Sequence, residues 1–417
     1  MFDDLLPDSD WSFKHLRQKD TNYITHCYHR YPAKFIPQLA SKLIRENSAF
    51  GNTVLDPFMG SGTTLVESKL LGRPCVGLDI NPTAYLIAKA KTTVIEPNHL
   101  RSTIEKVVQA IKEKVPDNYV SMQNYPERLT YWFSQDTISK LEAIYNIISS
   151  LDEDTRPFFE CALSNTLKLV SYWDNRSIKP IKNKSKKIPN VYRTFIRHLQ
   201  KMYLGNNNFW LLLQQSNTIN TPIQCVLGDA RNLPIENEKI DLVVTSPPYV
   251  TSYEYADIHQ LSALFFSQIA DIKDFRKNFI GSSYNKNKQN VHLFSNIANE
   301  IIVELMKNNP QKAYSVKQYF ADMYECFKEL SRVIRLGGKC CIVVGNTNIS
   351  GVEIKNAQVF VQQMQTLGFA LDNVILREIP GKTLPQTRDK ITGRFVKSSS
   401  ASYMAYPTEY ILIFSKK

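Results

Sequence analysis

A short motif in the second half of the chain has the residue types needed to hold a planar amino group. The apolar run Ile240–Val244 is followed by Thr245, and then by Ser246, Pro247, Pro248 and Tyr249. A β-branched run that ends in two prolines predicts a buried strand with a rigid exit loop. Because proline has no N–H, the carbonyls of such a loop remain available to a ligand. The hydroxyl of Ser246 and the ring of Tyr249 would then frame the amine.

A second motif, nearer the N-terminus, has the form of a turn that binds a ligand. The predicted strand Asn52–Asp56 leads into Pro-Phe-Met-Gly-Ser-Gly-Thr-Thr at 57–64, and a second strand, Cys75–Asp79, ends in an acid 23 residues after Asp56. Glycines allow the backbone to approach a ligand closely, and a carboxylate at the second strand's end can hold ribose hydroxyls. The third glycine of the dinucleotide fingerprint is missing, which favours a nucleoside over a pyrophosphate.

Two further segments have more than one interpretation. The predicted strand Ile223–Leu227 ends at Gly228-Asp229-Ala230. Asp229 would lie beside a bound nucleoside, or else cap a turn or helix. The proline-braced segment His29–Pro37 leads into a helix just before the first strand. This segment could simply pack against the domain, or it could close over a bound ligand.

These motifs lie in an alternating pattern of strands and helices, which predicts an α/β fold. We expect residues 1–91 to form an N-terminal arm and the cofactor-binding half, and residues 221–417 to form the catalytic half. Between them, residues 92–220 lose the strand pattern and contain amphipathic stretches at 100–114, 137–149 and 157–170. This part is predicted to be a mainly helical insertion. Further helices are expected at 258–269, 317–334 and 353–368, and strands at 340–344, 370–379 and 409–414.

The charge of the chain favours a polyanionic partner. Its net charge is +12, with 51 lysines and arginines against 39 acids. Within the insertion, the segment from Arg176 to Lys201 has nine basic residues and no acid. Such a density favours contact with phosphates over a merely solvated loop. Tyr172, Trp173 and Tyr192 lie among the charges and could stack on bases or anchor the segment.

Other site types are disfavoured by the same composition. The seven cysteines form no CxxC pair and the seven histidines form no HxxxH cluster, so no metal site is expected. No apolar run of 18 residues is present and residues 1–10 are acidic, which predicts a soluble, cytoplasmic protein without membrane contact. Pro74-Cys75 superficially fits the thiolate of a cytosine-C5 methyltransferase. Cys75, however, begins the second strand and is predicted to be a small buried residue.

Together, Asp-Pro-Phe-Met-Gly-Ser-Gly-Thr at 56–63 and Thr-Ser-Pro-Pro-Tyr at 245–249 resemble the DNA amino-methyltransferases, especially those that modify cytosine N4. The resemblance implies a Rossmann-like fold with a doubly wound mixed sheet, and S-adenosylmethionine as the cofactor. Pro32-Ala33-Lys34-Phe35 is similar to that family's cofactor-closing element. The implied cofactor-binding residues are Lys34, Phe35, Asp56, Phe58, Gly60, Gly62, Thr63, Asp79, Asn81, Asp229 and Ala230.

The resemblance also implies a mechanism. Ser246 Oγ and the Pro247 carbonyl would accept hydrogen bonds from the amine while Tyr249 stacks on the base, and the methyl group would pass directly to nitrogen. The target base must leave the duplex, at a cost of a few kcal/mol. Serine rather than aspartate at position 246 is what favours cytosine in the resembling family, although its chemistry permits adenine N6 as well.

The implied partner is double-stranded DNA, in a restriction–modification or related defence system with a cognate endonuclease acting on the same sequence. The residues predicted to contact DNA are Arg176, Lys179, Lys182, Lys184, Lys186, Lys187, Arg193, Arg197, Arg388 and Arg394. An adenine-N6 methyltransferase, an RNA or protein-glutamine amino-methyltransferase and a non-catalytic nucleic-acid-binding protein remain alternatives.

Overall fold

The structure is a computed structural model that describes residues 2, 4–32, 36–114, 125–250, 255–281, 291–379, 387–388, 403–404 and 408–417. Within them the strands are β1 (Val54–Asp56), β2 (Cys75–Asp79), β3 (Ile223–Leu227), β4 (Ile240–Thr245), β5 (Ile334–Val344), β6 (Thr347–Ile349), β7 (Val352–Ile354), β8 (Phe369–Glu378), β9 (Thr387–Arg388), β10 (Tyr403–Met404) and β11 (Thr408–Lys416).

A seven-stranded mixed sheet forms the centre, in the order β3-β2-β1-β4-β5-β11-β8. Neighbours from β3 to β5 are parallel, whereas β11 is antiparallel to both β5 and β8. The chain runs outward from β1 through β2 to β3 and then returns to place β4 on the other side of β1. Ligands of open α/β sheets bind where the strand order reverses in this way, at the carboxyl ends of the strands.

Fifteen helices accompany these strands in the described part of the chain: α1 (Gln18–Thr21), α2 (Pro37–Asn47), α3 (Thr63–Leu70), α4 (Pro82–Thr92), α5 (Pro97–Lys114), α6 (Glu127–Thr130), α7 (Gln135–Ile148), α8 (Arg156–Val170), α9 (Val191–Gln215), α10 (Tyr255–Ile258), α11 (Gln260–Phe265), α12 (Ile272–Lys277), α13 (Asn296–Asn308), α14 (Pro310–Val333) and α15 (Asn356–Thr366). Two short 3₁₀ turns, Ser9–Trp11 and Ile24–Cys27, precede α2.

Helices cover both faces of the sheet, which confirms the doubly wound α/β prediction. Successive side chains of a strand point to opposite faces. Accordingly, Leu242 and Val244 of β4 pack with residues of α2, α3 and α4, while Val243 packs with residues of α14 and α15. The residues of β4 are buried or half-buried throughout, as expected for a central parallel strand covered on both faces.

The inserted helices have a hydrophobic core of their own. It is built mainly from α5, α7, α8 and α9, and it continues onto Ile87 and Ala90 of α4 and Leu264 of α11. The insertion therefore packs directly on the helix that follows β2. The domain boundaries at 91 and 220 stay a prediction, because packing alone does not divide the chain there.

Most predicted elements are found within a few residues of their expected ends, but one prediction was incomplete. The basic segment 176–201 is not a loop throughout, because α9 begins at Val191 and runs for 25 residues. Its buried residues, among them Phe195, Leu199 and Met202, recur at helical spacing. The high density of positive charge had obscured this pattern. In the described residues no helix combines the length and apolar composition needed to cross a bilayer.

A candidate active site at the carboxyl ends of the strands

An open cavity of about 830 Å³ lies at the carboxyl ends of β1, β2, β3 and β4, a volume that includes solvent at its mouth. It brings together six separate stretches of the sequence. Its lining consists of Tyr31, Asp56, Pro57, Phe58, Met59, Gly60, Ser61, Thr63, Asp79, Ile80, Asn81, Asp229, Ala230, Ser246, Pro248, Asn278, Phe279 and Ile280.

Asp56 joins the two strands between which the order of the sheet reverses. Thr245 at the end of β4 donates its hydroxyl to Asp56 Oδ1 at 2.7 Å, and the Phe58 N–H donates to the same oxygen at 3.1 Å. Burial raises the pKa of Asp56 to about 6, although these hydrogen bonds act in the opposite direction. The carboxyl group thus ties the end of the Thr-Ser-Pro-Pro-Tyr strand to the start of the glycine loop.

The glycine loop needs its glycines for conformation as well as space. Gly60 and Gly62 have φ values of +48° and +74°, a region that L side chains rarely adopt. A Cβ on Gly62 would also lie 3.0 Å from the Cα of Ala88 on α4. Because the loop has few bonds of its own, partners from other elements hold it. The Lys91 ammonium donates to the Ser61 carbonyl at 2.6 Å, and the Met59 N–H donates to the Leu78 carbonyl at 2.9 Å.

Asp79 links this loop to the next helix. Its Oδ2 accepts from the Gly60 N–H and its Oδ1 from the Asn81 N–H, both at 2.9 Å. Asn81 in turn caps α4 by accepting from the Thr83 N–H at 3.0 Å. Burial, reinforced by the nearby Asp56, raises the pKa of Asp79 to about 6. Each Asp79 oxygen keeps a further lone pair that can accept a ligand hydroxyl.

Two hydroxyl groups of the glycine loop have no hydrogen-bond partner within the protein. Ser61 and Thr63 line the cavity, and their hydroxyls are buried without a hydrogen-bond partner in the protein. Buried polar groups are normally satisfied, so such atoms indicate a polar partner. With the carboxylates of Asp79 and Asp229 in the same lining, the cavity fits a ligand that combines hydroxyl, amino and charged groups.

The Ser-Pro-Pro-Tyr motif is only partly inside this cavity. Ser246 and Pro248 line it, whereas Pro247 and Tyr249 do not. The Pro248 carbonyl accepts from the Tyr319 hydroxyl at 2.9 Å. The Tyr249 ring packs against Gly345, and its hydroxyl donates to Glu409 at 3.1 Å. Glu409 is itself held by buried Arg377, whose guanidinium donates to it at 2.6 Å.

Some residues of the cavity were missed in the sequence. Asn278–Ile280 follow a basic segment that gave no motif signal. Tyr31 belongs to the segment that had two interpretations, and its place in the lining favours closure over a ligand. Its ring packs on His259 with centroids 4.8 Å apart, and His259 Nδ1 accepts from the Asn81 amide at 2.8 Å. Lys34 and Phe35 lie outside the described residues.

The predicted DNA-contacting residues divide into two groups. Lys182 and Lys186 both bond backbone carbonyls of the protein. The Lys182 ammonium donates to the Tyr131 carbonyl and lies 3.7 Å from the centroid of the Tyr131 ring. The Lys186 ammonium donates to the carbonyls of Lys168 and Trp173. These bonds stabilise the fold of the loop, and the expected contact of the two half-buried lysines with phosphates stays a prediction. The exposed residues are Arg176, Lys179, Lys184, Lys187, Arg193 and Arg197.

The aromatic residues of this segment also differ in role. Trp173 is only 1% exposed and stacks on Trp132 with centroids 5.2 Å apart, so it anchors the loop and is not available to bases. Tyr172 and Tyr192 are half-buried. Arg394 lies outside the described residues, and for Arg388 only the backbone position in β9 is described.

The described side chains give no support to a metal site or to Cys75 as a nucleophile. In the described ranges no three His, Cys, Asp or Glu side chains are grouped as a metal site would require. Cys75 is buried at the start of β2, away from the carboxyl end at Asp79, and burial raises the pKa of its thiol. A buried, protonated thiol is a poor nucleophile.

Comparison with known proteins adds independent information. A family model described as DNA methylase matches residues 3–90 and 240–417. The type II methyltransferase M.MvaI of Kocuria varians is 29% identical over 395 residues, covering 88% of this chain and 86% of that protein. M.BsoBI of Geobacillus stearothermophilus is 25% identical, covering 80% and 76%. M.MjaII of Methanocaldococcus jannaschii is 24% identical, covering 78% of both.

The buried carboxyl group of Asp56 should make stability depend on pH. Its pKa is about 6 in the folded chain and close to 3.8 when unfolded, so the folded state binds more protons between these values. Its contribution to the unfolding free energy is therefore greatest below about pH 4 and decreases as pH rises through about 6. Asp56→Asn should remove this pH-dependent decrease in the unfolding free energy, which is on the order of 2–3 kcal/mol.

The measurement is urea unfolding of wild type and variant between pH 4 and 8. We expect a flatter pH dependence for Asp56→Asn, with some residual slope from Asp79. Asp154→Asn, at an exposed site, is the control and should follow the wild type. An Asp56→Asn curve parallel to the wild type would contradict the burial of this charge.

Proposed function

The chain belongs to the DNA methylase family, a group of DNA methyltransferases that act on N6 or N4 amino groups, and we propose that it methylates cytosine N4 in a specific double-stranded sequence. S-adenosylmethionine would be the methyl donor. The observation that carries the proposal is one cavity lined both by the glycine loop with its strand-end acids and by Ser246.

The cavity supports this cofactor through the types of group it presents. We assign Asp79 to the ribose hydroxyls and Asp229 to the amino group of adenine. The hydroxyls of Ser61 and Thr63, which have no partner in the protein, support an assignment to the polar groups of the methionine part. S-adenosylmethionine supplies an electrophilic methyl group on a sulfonium. The protein's contribution is then to orient that methyl group relative to an amine at Ser246.

We assign Ser246, which lines the cavity, the contact with the target amine. An exocyclic amine of a base is a poor nucleophile, because its lone pair is delocalised into the ring. Hydrogen bonds from its N–H groups to Ser246 Oγ and to a carbonyl of the proline pair would favour a pyramidal nitrogen. The Pro248 carbonyl already accepts from Tyr319, so we keep Pro247 as the proposed second acceptor, although Pro247 is outside the cavity lining. The ring of Tyr249, whose hydroxyl is bonded to Glu409, would stack on the target base.

The exposed basic residues are connected to this cavity by a short backbone segment. His198 of α9 bonds the Tyr28 carbonyl at 2.6 Å, Arg30 donates to the Asn175 carbonyl at 3.2 Å, and Tyr31 lines the cavity. No acid occurs between Asp174 and Asp229, and among the exposed basic residues Arg176 is paired with Asp174. A duplex held here would lie near the cavity into which its base must turn.

The choice of cytosine rests on Ser246 and on resemblance, and adenine N6 is the principal alternative. Because the relatives named above are type II methyltransferases, we also propose a cognate restriction endonuclease with the same recognition sequence.

The direct test is methyl transfer from labelled S-adenosylmethionine to unmethylated duplex DNA, followed by digestion to nucleosides. The expected product is N4-methylcytosine. N6-methyladenine as the sole product would refute the cytosine assignment. Transfer to tRNA without transfer to DNA would refute the DNA assignment, and cofactor binding without transfer to any nucleic acid would favour a non-catalytic protein.

Ser246→Ala should separate catalysis from cofactor binding. Ser246 is proposed to contact the amine and not the cofactor, so kcat should fall roughly hundredfold or more while the cofactor still binds. Single-turnover transfer and calorimetric binding of S-adenosylhomocysteine measure the two effects. Ser262→Ala, which removes a hydroxyl bonded to Ser164 outside the cavity, is the control. Loss of cofactor binding in Ser246→Ala would mean that the site is misplaced.

The α9 face gives a prediction about DNA affinity. Arg193 and Arg197 are exposed and four residues apart, so they lie on one side of the helix, about 6 Å apart along its axis. If each contacts a phosphate, Arg193→Gln/Arg197→Gln should reduce the slope of log K against log salt by about 2. Fluorescence anisotropy at several salt concentrations measures it. Arg101→Gln, at an exposed site on α5, should leave the slope unchanged. An unchanged slope in the double variant would exclude this face.

A further inference from the structure

One wall of the cavity comes from a segment outside both methyltransferase motifs. Asn278, Phe279 and Ile280 follow α12 and line the cavity together with Asp229 and Ala230 at the end of β3. Phe279 packs edge-to-face on Phe275 of α12, with centroids 4.9 Å apart. The segment is not part of a strand or helix, so its position depends on side chains from elsewhere.

Arg231 provides the first attachment. Its Nε lies 2.9 Å and its Nη2 2.6 Å from different oxygens of Asp229, a bidentate pair. The same Nη2 donates to the Asn278 carbonyl at 2.9 Å. One planar guanidinium therefore joins the strand-end carboxylate in the cavity to the first residue of the wall. Its rigid fork of donors suits this geometry, which a lysine ammonium could not reproduce.

Asp322 of α14 provides the second attachment. Its Oδ1 lies 3.4 Å from Arg231 Nη1, and its Oδ2 accepts from the Gly281 N–H at 3.2 Å. Its side chain is only 9% exposed, and Gln318 adds a hydrogen bond at 2.9 Å. The wall is thus fixed at both ends, at Asn278 and at Gly281, by one linked arginine–aspartate pair.

The position of this wall identifies the part of the ligand that it meets. Ser246 follows β4, and β1, β2 and β3 follow in that order across the sheet. Neighbouring strands are about 4.8 Å apart, so the end of β3 lies roughly 14 Å from the end of β4. With the transferred methyl group at Ser246, the adenine would lie at β3, where Phe279 and Ile280 offer apolar surface to a flat ring.

We propose that Arg231 is a positioning residue for the cofactor: by bridging Asp229, Asp322 and the Asn278 carbonyl, it holds the 278–281 wall against the adenine. This inference rests on the proposed function, since it assumes an adenosine ligand. Pairing with Arg231 also fixes the orientation of Asp229. Asp229 Oδ1 accepts both the backbone N–H and the Nε–H of Arg231, each at 2.9 Å, so the accepting capacity left for the adenine amino group is on Oδ2.

The test compares Arg231→Met and Asp322→Asn with the wild-type chain. Asp322→Asn keeps an acceptor for Gly281 but removes the charge that faces Arg231. Binding of S-adenosylhomocysteine and of 5′-methylthioadenosine, which lacks the amino-acid part, is measured by calorimetry, and kcat is measured at saturating S-adenosylmethionine. We expect Arg231→Met to weaken both ligands by about tenfold or more, with kcat within about twofold of wild type. Asp322→Asn should show a smaller loss in the same direction.

Arg332→Met is the matched control. Arg332 donates to the carbonyls of Leu233 and Ile235 and to Glu329, so it stabilises the same connection after β3 but does not line the cavity. The Arg332→Met variant should have a lower thermal unfolding midpoint and the same affinity for both ligands as the wild type. Unchanged affinity in both Arg231→Met and Asp322→Asn, or equal weakening in Arg332→Met, would overturn the positioning role. Failure of wild type to bind either ligand would instead refute the proposed function.

Discussion

The backbone of the glycine loop is held by groups outside the loop, and the rest of the site depends on this. Residues 57–62 have two glycines at positive φ and no regular hydrogen-bond ladder of their own. Asp79 and Leu78 of the neighbouring strand and Lys91 of α4 provide the partners. Parallel strands make this possible, because their carboxyl ends lie side by side at one edge of the sheet. The cost is the burial of two carboxyl groups, Asp56 and Asp79, whose pKa values are both raised to about 6.

The Ser-Pro-Pro-Tyr motif is held in a different way. The hydroxyl of Tyr249 bonds Glu409 on β11, which is paired with buried Arg377 on the adjacent antiparallel strand β8. A buried ion pair contributes little net stability, but losing one partner is costly because the other charge is left unpaired. Its value here is positional: it orients the aromatic ring relative to Ser246. The antiparallel end of the sheet therefore has a role in the site although it carries none of the motifs.

The helical insertion reaches the site through the segment 28–31. His198 of α9 bonds the Tyr28 carbonyl, and Arg30 bonds the Asn175 carbonyl. Tyr31, at the end of the segment, lines the cavity between Gly60 and His259. The insertion side of this segment carries exposed arginines and lysines, whereas its cavity side is the Tyr31 ring packed on His259. The contrast agrees with the proposal that one part binds a polyanion and the other encloses a flat ligand.

The sequence by itself determined the sheet, the glycine loop and the acids at strand ends. These follow from local patterns: β-branched runs, glycines at a turn, and polar residues where a strand stops. It also located Ser246, because two prolines after a buried strand are locally distinctive. Helix α9 was missed at the same level, since its first turns, with Arg193, Arg197 and Lys201, were interpreted as part of the basic segment.

Only the tertiary structure decided which side chains face the cavity and which support it. Lys182 and Arg193 are equally basic in sequence, yet one bonds a carbonyl and the other is exposed. Arg231, Asp322 and Asn278 are far apart along the chain and share no motif, but they meet through one guanidinium. Such contacts depend on packing between distant elements, and no local pattern of residue types records them.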